Sequence, residues 1–337
     1  MRYKVGMYGG AFDPLHIGHI DLIIKAASQC EKLYVVLSYS RNRDNIPMEY
    51  RYRWIRNSFK HMDNIEIILL EDNAYNKSDY DTDEYWEKGR DYVLSQIGTK
   101  VDVVYCGSDY MGTNRYEKLY NCDVVYFDRN NIPISSSDIR SNPFEYWEYV
   151  PQICRSYYTK KILFIGGEST GKSTLTENLA LAYNTNFLEE VGREVCDYAG
   201  NEDLMIASDF YEILLKHKTK ELEQIKYSNK LFFVDTDALI TKFFAQFLLD
   251  NNKKNIEQLA DAITKINDFD LIFFLEPTVA FVQDGTRNTK IEADREKYSN
   301  QIKDIFDKAG LNYICLAGDY LSRYEKVKEI IFKEYGI

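Results

Sequence analysis

"KKILFIGGESTGKSTLTENLA", Lys160 to Ala180, decides the reading of the second half of this 337-residue chain. The apolar run "KILFI" is strand-sized, and the residues after the loop place Leu175, Leu179 and Ala182 on one helical face at i, i+4 and i+7. Between them Gly166, Gly171, Lys172 and Ser173 match G-x-x-x-x-G-K-[ST], in the strand–loop–helix setting that the pattern needs. Its glycines let backbone N–H groups wrap the β- and γ-phosphates of a nucleotide, and the helix N-terminus adds positive potential. Gly167, Glu168, Ser169, Thr170, Gly171 and Thr174 are therefore candidate ATP contacts. Lys172 is expected to neutralise the transferring phosphoryl group, and Ser173 to ligate the Mg2+ that accompanies ATP. Such a loop ordinarily follows the first strand of its domain, yet here it begins almost halfway along the chain.

The length suits about two domains, each large enough for its own core. With 45% hydrophobic and 28% charged residues, the composition is that of a soluble globular protein. A net charge of -11 excludes a general basic face for nucleic acid or membrane. The six cysteines (Cys30, Cys106, Cys122, Cys154, Cys196 and Cys315) form no C-x-x-C pair, and the four histidines add no finger spacing. Reduced thiols and a cytoplasmic location are expected. No run approaches the roughly 18 apolar residues of a membrane span, and the start "MRYKVGMYGG" lacks the apolar segment of a signal peptide. The abundant tyrosines are read as compositional bias.

Short apolar strands alternate with amphipathic stretches throughout, the mark of α/β units with parallel sheets. Strand candidates in the first half are "YKVGMY", "KLYVVLS", "IEIILL", "VDVVYCG" and "DVVYF", with helical patterns such as 18–29 and 83–97 between them. The second half repeats the style in "KILFIG", "TNFLEE", "KLFFVDTD", "DLIFFLE" and "NYICLAG". Residues 142–159 carry two prolines and no strand pattern. Two parallel-sheet domains are expected: 1–150, a linker at 151–159, and a P-loop domain at 160–337.

Around the P-loop, "LFFVDTD" brings Asp235 and Asp237 to one face of a strand end. One of them is suited to the Mg2+ shell or a substrate hydroxyl, and acidic N-capping of the next helix is compatible with either role. "FLEEVGREV" supplies Glu189, Glu190 and Arg193 where a kinase of this build would hold an acceptor hydroxyl. "DGTRNTKIEADREKY" brings Arg287 and Arg295 in a polar segment, as a lid over ATP needs, since a guanidinium fork clamps phosphate oxygens. A solvated surface helix accounts for Arg295 as well. A small-molecule kinase is the leading reading of this half.

The first half opens with "GGAFDPLHIGHIDLI", in which His16 and His19 form H-x-G-H at a helix N-terminus. Two histidines there can donate to phosphate oxygens with help from the helix dipole, and Gly18 keeps the backbone slim for a phosphate to approach. No serine or cysteine nucleophile stands nearby, so the chemistry implied is in-line displacement with electrostatic stabilisation. At the far end of the same α/β unit, "IPISSSDIR" (Ile132 to Arg140) offers a serine cluster able to cap a short helix and an arginine one turn on.

Together "GGAFDPLHIGH" and "ISSSDIR" resemble the nucleotidylyltransferase superfamily. The order transferase, "WEYVP", "GGESTGKSTL", "VDTD", "DGTR" resembles the NadR type over nearly the whole chain. Those proteins join a nicotinamide-mononucleotide adenylyltransferase to a ribosylnicotinamide kinase. The resemblance implies that ATP phosphorylates nicotinamide riboside to nicotinamide mononucleotide, and that a second ATP adenylates this product to NAD. It implies that His16, His19 and Arg140 are catalytic, with Gly9, Gly10, Ala11 and Phe12 bordering the nucleotide and Arg43 nearby. Ile134 and Ser136 would join Arg140 at the triphosphate, and Gly107, Ser108 and Asp109 would face the adenosine. The stretch from Glu71 to Trp86, with Asp72 and Asn73, would receive the nicotinamide, Trp86 stacking on the cationic ring. A core position within helix 83–97 is the other reading of Trp86. Lys172 and Asp235 would be catalytic in the kinase, with Glu190, Arg193 and Asp237 at the riboside.

The sequence departs from the type in two places. Some members carry an N-terminal helix-turn-helix domain, and only eight residues precede the Gly9 turn, so no DNA-binding role is expected. Ser137 stands where relatives often have threonine, and it keeps the hydroxyl. The resemblance leaves room for a homo-oligomer and for a weak contact with a riboside transporter. A coenzyme A synthase-like fusion shares the transferase–kinase order, but Arg140 stands where that class usually has lysine. A non-catalytic nucleotide sensor would not need Lys172, Ser173, His16 and His19 together.

Overall fold

The central strands, such as residues 103–107, 162–165 and 231–235, are buried on both faces, as a parallel sheet covered by helices requires. The computed structural model describes residues 2–40, 44–72, 82–283 and 287–337. They divide into two compact units, Met1–Cys154 and Arg155–Ile337. In the first, β1 (Tyr3–Gly10), α1 (Ile17–Ala27), β2 (Cys30–Tyr39), α2 (Met48–Ser58), β3 (Ile65–Glu71), α3 (Asp83–Ile97) and β4 (Val103–Gly107) alternate strictly. α4 (Arg115–Tyr120), β5 (Asp123–Phe127) and α5 (Ser136–Ser141) complete the alternation, and α6 (Gln152–Tyr158) lies in the segment expected to link the domains. The five strands are all parallel in the order β3-β2-β1-β4-β5, so the winding direction reverses between β1 and β4. Met7, Val36, Ile68 and Val104 from four neighbouring strands pack with Val93 and Ile97 of α3.

The second unit runs β6 (Lys160–Ile165), α7 (Lys172–Ala182), β7 (Phe187–Leu188), α8 (Val191–Ala199), α9 (Ala207–Gln224), β8 (Leu231–Asp235), α10 (Ala238–Leu248) and α11 (Lys253–Ile266). β9 (Leu271–Leu275), α12 (Thr289–Ala293), α13 (Arg295–Lys308), β10 (Ile314–Leu316) and α14 (Tyr320–Tyr335) follow. Its sheet, again parallel, has the order β10-β9-β6-β8-β7, placing β6 at the centre with a reversal beside it. Period-two alternation sends Leu163 and Ile165 to one core and Ile162 and Phe164 to the other. At about 25 cal/mol per Å2, each fully buried side chain of this size contributes roughly 1.5–3 kcal/mol before chain entropy is counted.

The expected strands "TNFLEE" and "NYICLAG" shrink to two and three residues. Both lie at sheet edges, where hydrogen bonds form on one side only, and Ile314 and Cys315 are exposed. The face expected on α7 also shifts: Leu175 and Leu179 are buried, but with Thr176 and Ala180, while Ala182 is exposed in the last turn. Among the described residues no helix is long and apolar enough to cross a membrane.

Candidate active sites

Each unit carries a cavity at the carboxyl ends of its central strands, where neighbouring connections leave in opposite directions and open a crevice. In the first unit the cavity is about 340 Å3, and its lining includes Gly9, Gly10, Ala11, Phe12, His19, Gly107, Ser136 and Arg140. His16 is the N-cap of α1; its Nδ1 accepts from the His19 N–H at 3.4 Å, and its ring is buried. The two imidazoles stack with centroids 3.6 Å apart, and Phe12 meets His19 edge-on at 5.0 Å. A Cβ at Gly18 would lie 3.1 Å from the His16 ring, so glycine also permits this stacking.

The serine cluster folds as a capping box. Ser135 accepts from the Asp138 N–H, and Asp138 accepts from the Ser135 N–H, starting the short helix α5. Ser136 Oγ donates to the Pro14 carbonyl at 3.0 Å, and Arg140 donates to the Asp13 carbonyl and to Ser137 Oγ. Ile134 lies just before this box, partly buried. Ser108 and Asp109 sit in a 3-10 turn between Gly107 and Tyr110, both of which line the cavity. Burial pushes the Cys106 thiol up to about 12, which removes this cavity-lining sulfur as a thiolate nucleophile.

Two residues that sequence reasoning passed over hold this loop. Asp13 accepts from the backbone N–H groups of Asn45 and Ile46 and lies 3.7 Å from Arg140. Arg51, almost wholly buried, donates to the Ala11 carbonyl at 2.7 Å and to Asp44 at 2.6 Å. Asp13 directly precedes "PLHIGH" and could have been suspected, whereas nothing in "EYRYRWIRN" separates Arg51 from its exposed neighbours.

Of the expected nicotinamide contacts, Asn73 lies outside the described residues, as does Arg43 on the nucleotide side. Glu71 is exposed at the end of β3. Asp72 is buried and accepts from Tyr85 Oη and, at 3.5 Å, from Ser38 Oγ. Trp86 is half-buried in α3, edge-on to Tyr85 and Tyr116, with the Arg115 guanidinium 4.8 Å from its ring centroid. The indole therefore already carries a cation on its face.

The second cavity, about 300 Å3, runs from the P-loop to an apolar wall that includes Phe210, Ile213 and Phe244. Gly166 and Gly171 have φ of +145° and +88°, and a Cβ on either would lie 2.7 Å from Leu275 O or the Tyr320 ring. Lys172 Nζ donates to the Gly166 and Gly167 carbonyls at 3.1 and 3.0 Å, and Thr170 Oγ1 bonds Gly167 O at 2.9 Å. Ser173 Oγ donates to Asp235 Oδ2 at 2.6 Å. Burial, reinforced by Glu190, raises the Asp235 carboxyl above its usual range, and its Oδ1 has no hydrogen-bond partner among the described residues.

The two aspartates thus separate. Asp237 is the N-cap of α10, accepting from the Leu239 and Ile240 N–H groups, and burial pushes it up to about 7. Glu190, the N-cap of α8, lies 4.0 Å from Arg193; both line the cavity, while Glu189 is exposed. Arg295 is no solvated surface residue. It donates to the Ser169 and Val279 carbonyls, and its guanidinium sits 5.4 Å from the Phe281 ring centroid. Arg287 donates to Ser169 Oγ at 2.8 Å and lies 6.0 Å from the same ring. Asp284, Gly285 and Thr286 of "DGTR" lie outside the described residues.

Three further residues complete this site. Arg323, 1% exposed, donates to Thr170 O, Glu276 O and Thr278 Oγ1, tying the P-loop to β9 and α14. Asn288 donates its backbone N–H to Glu168 at 2.9 Å and its amide to Glu202 at 3.0 Å. Burial and then Glu202 raise the Glu168 carboxyl. His217 sits in the cavity wall with Nε2 3.4 Å from Asp235 O. No local pattern announces any of the three.

Residues 7–142 match the cytidylyltransferase-like family and residues 161–323 the AAA domain family. The trifunctional NAD biosynthesis/regulator protein NadR of Escherichia coli K12 is 29% identical over 351 residues, spanning 99% of the chain and 84% of that protein. The phosphopantetheine adenylyltransferase of Streptococcus gordonii is 39% identical over 69 residues, or 20% of the chain and 42% of that protein. A crystal structure of a NadR protein in complex with NR has a TM-score of 0.84 at 24% identity, covering 100% of the chain and 97% of its own. Another, in complex with NAD and AMP-PNP, has a TM-score of 0.81 at 23% identity, covering 99% and 96%. In sequence and domain order the chain is similar to the NadR type, and both of its units share the fold of the NadR structures.

Proposed function

We propose that the chain is a bifunctional enzyme of NAD synthesis. Its second unit phosphorylates nicotinamide riboside with ATP, and its first joins the resulting mononucleotide to the adenylyl group of a second ATP. The observation that carries this reading is the second cavity. A phosphate loop forms one end and an apolar wall the other, and the Glu190 side chain lines the same cavity as Phe210, Ile213 and Phe244. An acceptor with a flat, positively charged ring suits such a cavity. An anionic coenzyme A precursor, the acceptor of the rival fusion, does not.

In the kinase reaction the riboside hydroxyl attacks the γ-phosphorus, the bond to the ADP oxygen breaks, and the hydroxyl proton leaves toward the Asp235 and Glu190 carboxylates. Lys172, now on the loop carbonyls, turns to the transferring phosphoryl group, and Arg287 and Arg295 flank the loop at Ser169. Ser173 Oγ and the unpartnered Asp235 Oδ1 fit the Mg2+ that arrives with ATP, which neutralises phosphate charge when bound. In the transferase reaction a phosphate oxygen of the mononucleotide attacks the α-phosphorus, and pyrophosphate leaves. The stacked His16 and His19 at the start of α1, with Arg140 across the cavity, meet the charge that develops.

Incubation with ATP, Mg2+ and nicotinamide riboside, followed by chromatography, tests the proposal. Mononucleotide should appear first and NAD second. Failure to form either, with a coenzyme A precursor consumed instead, would transfer the assignment to the rival fusion. ATP binding with no turnover of any acceptor would make the chain a sensor.

A further inference from the structure

α9 buries one stripe, Phe210, Ile213, Leu214, His217 and Glu221, and His217 is the polar member of it that lines the kinase cavity beside Phe210 and Ile213. Its Nε2 faces the main-chain carbonyl of Asp235 at 3.4 Å. A carbonyl only accepts, so Nε2 carries the proton, and in the neutral ring Nδ1 is then a lone-pair acceptor. Nδ1 has no partner among the described residues, yet it is not among the side-chain atoms sealed from solvent without one. A core histidine satisfied at both nitrogens would show the opposite.

Resting on the kinase reading above, we propose that His217 is a specificity-determining residue, whose Nδ1 accepts a hydrogen bond from the acceptor nucleoside. The donor is a ribose hydroxyl or the carboxamide N–H of the nicotinamide ring. The Asp235 carbonyl fixes the tautomer and the ring plane. A site built to accept from one N–H or O–H discriminates against analogues that lack it, since its lone pair is then left unpaired.

The test separates the two ring nitrogens. His217→Gln can still donate to the Asp235 carbonyl but loses the acceptor at the Nδ1 position; His217→Asn keeps an acceptor there and loses the anchor. The KM for nicotinamide riboside should rise about three- to tenfold in the glutamine variant, the loss of one neutral hydrogen bond. In the asparagine variant it should stay within about twofold, and the KM for ATP should hold in both. The reverse pattern, an unaffected glutamine variant and an impaired asparagine variant of lower melting temperature, would make His217 a structural anchor and overturn the proposal. Ribosides lacking the carboxamide, the 2′-hydroxyl or the 3′-hydroxyl supply a readout in the unmutated protein. One of them should carry a penalty of the same size that His217→Gln does not deepen. Equal tolerance of all three analogues would also overturn the inference, while absence of riboside phosphorylation by the unmutated protein would overturn the kinase reading itself.

Discussion

Asp237 shows how one buried carboxylate fixes a pH dependence. Leu239 and Ile240 on the helix donate backbone N–H groups to Oδ1, while Oδ2 has no partner among the described residues. Burial dominates, and the carboxyl is pushed up to about 7. In the unfolded chain the same group titrates near ~4. Between those values the native state holds the extra proton, so stability falls as pH rises across the window and levels off above it. The slope for one such proton is at most about 1.4 kcal/mol per pH unit. Asp237→Asn keeps the capping oxygen without the charge. Its melting temperature should exceed that of the unmutated protein at pH 8, and the gap should close toward pH 4.5. A gap of constant size in thermal scans would show that the carboxyl titrates normally.

The phosphate loop joins β6 to α7 by a path that only glycine accepts at two points. Gly166→Ala would place a methyl 2.7 Å from Leu275 O at a φ of +145°. Strain of about 1–3 kcal/mol is expected before the clash is counted. Riboside phosphorylation should collapse and the second unit should melt earlier, with mononucleotide adenylylation unchanged in the same sample. The G-x-x-x-x-G-K-[ST] spacing displays that constraint directly, and so the loop was legible in the sequence. The central strands were legible for a related reason: Ile162 to Ile165 are buried on both faces and form an unbroken apolar run. H-x-G-H could be read because both histidines sit within one turn of the start of α1. The supports were not legible. Arg323 meets Thr170 O from 153 residues away, and Arg51 meets Ala11 O from 40, both through main-chain carbonyls that leave no signature in residue type. Asp235 and Asp237 share a strand end in the sequence, and only the turn at Thr236, with φ +65°, sends one toward Ser173 and the other to cap α10.

Two cavities in two separately cored units predict that each reaction survives loss of the other. Lys172→Ala should lower riboside phosphorylation by about 10²–10³, the usual effect of removing one charge-stabilising contact, and leave mononucleotide adenylylation near normal. His19→Ala should do the reverse, so that mononucleotide accumulates when riboside is supplied. Product analysis of both folded variants checks this, and loss of both activities in either one would show that the sites depend on each other. The clamp on the P-loop carries a further consequence, for the order in which the protein comes off the ribosome. β6 and the loop emerge before any of their supports. Leu275 follows some 110 residues later, and Tyr320, packed at Gly171, and Arg323, 153 residues beyond Thr170, lie on α14. A nascent chain therefore completes its adenylyl-transfer unit long before it can grip a phosphate in the other. The phosphate loop is clamped only once α14 has arrived, and a product terminated before α14 would adenylate mononucleotide without being able to make it.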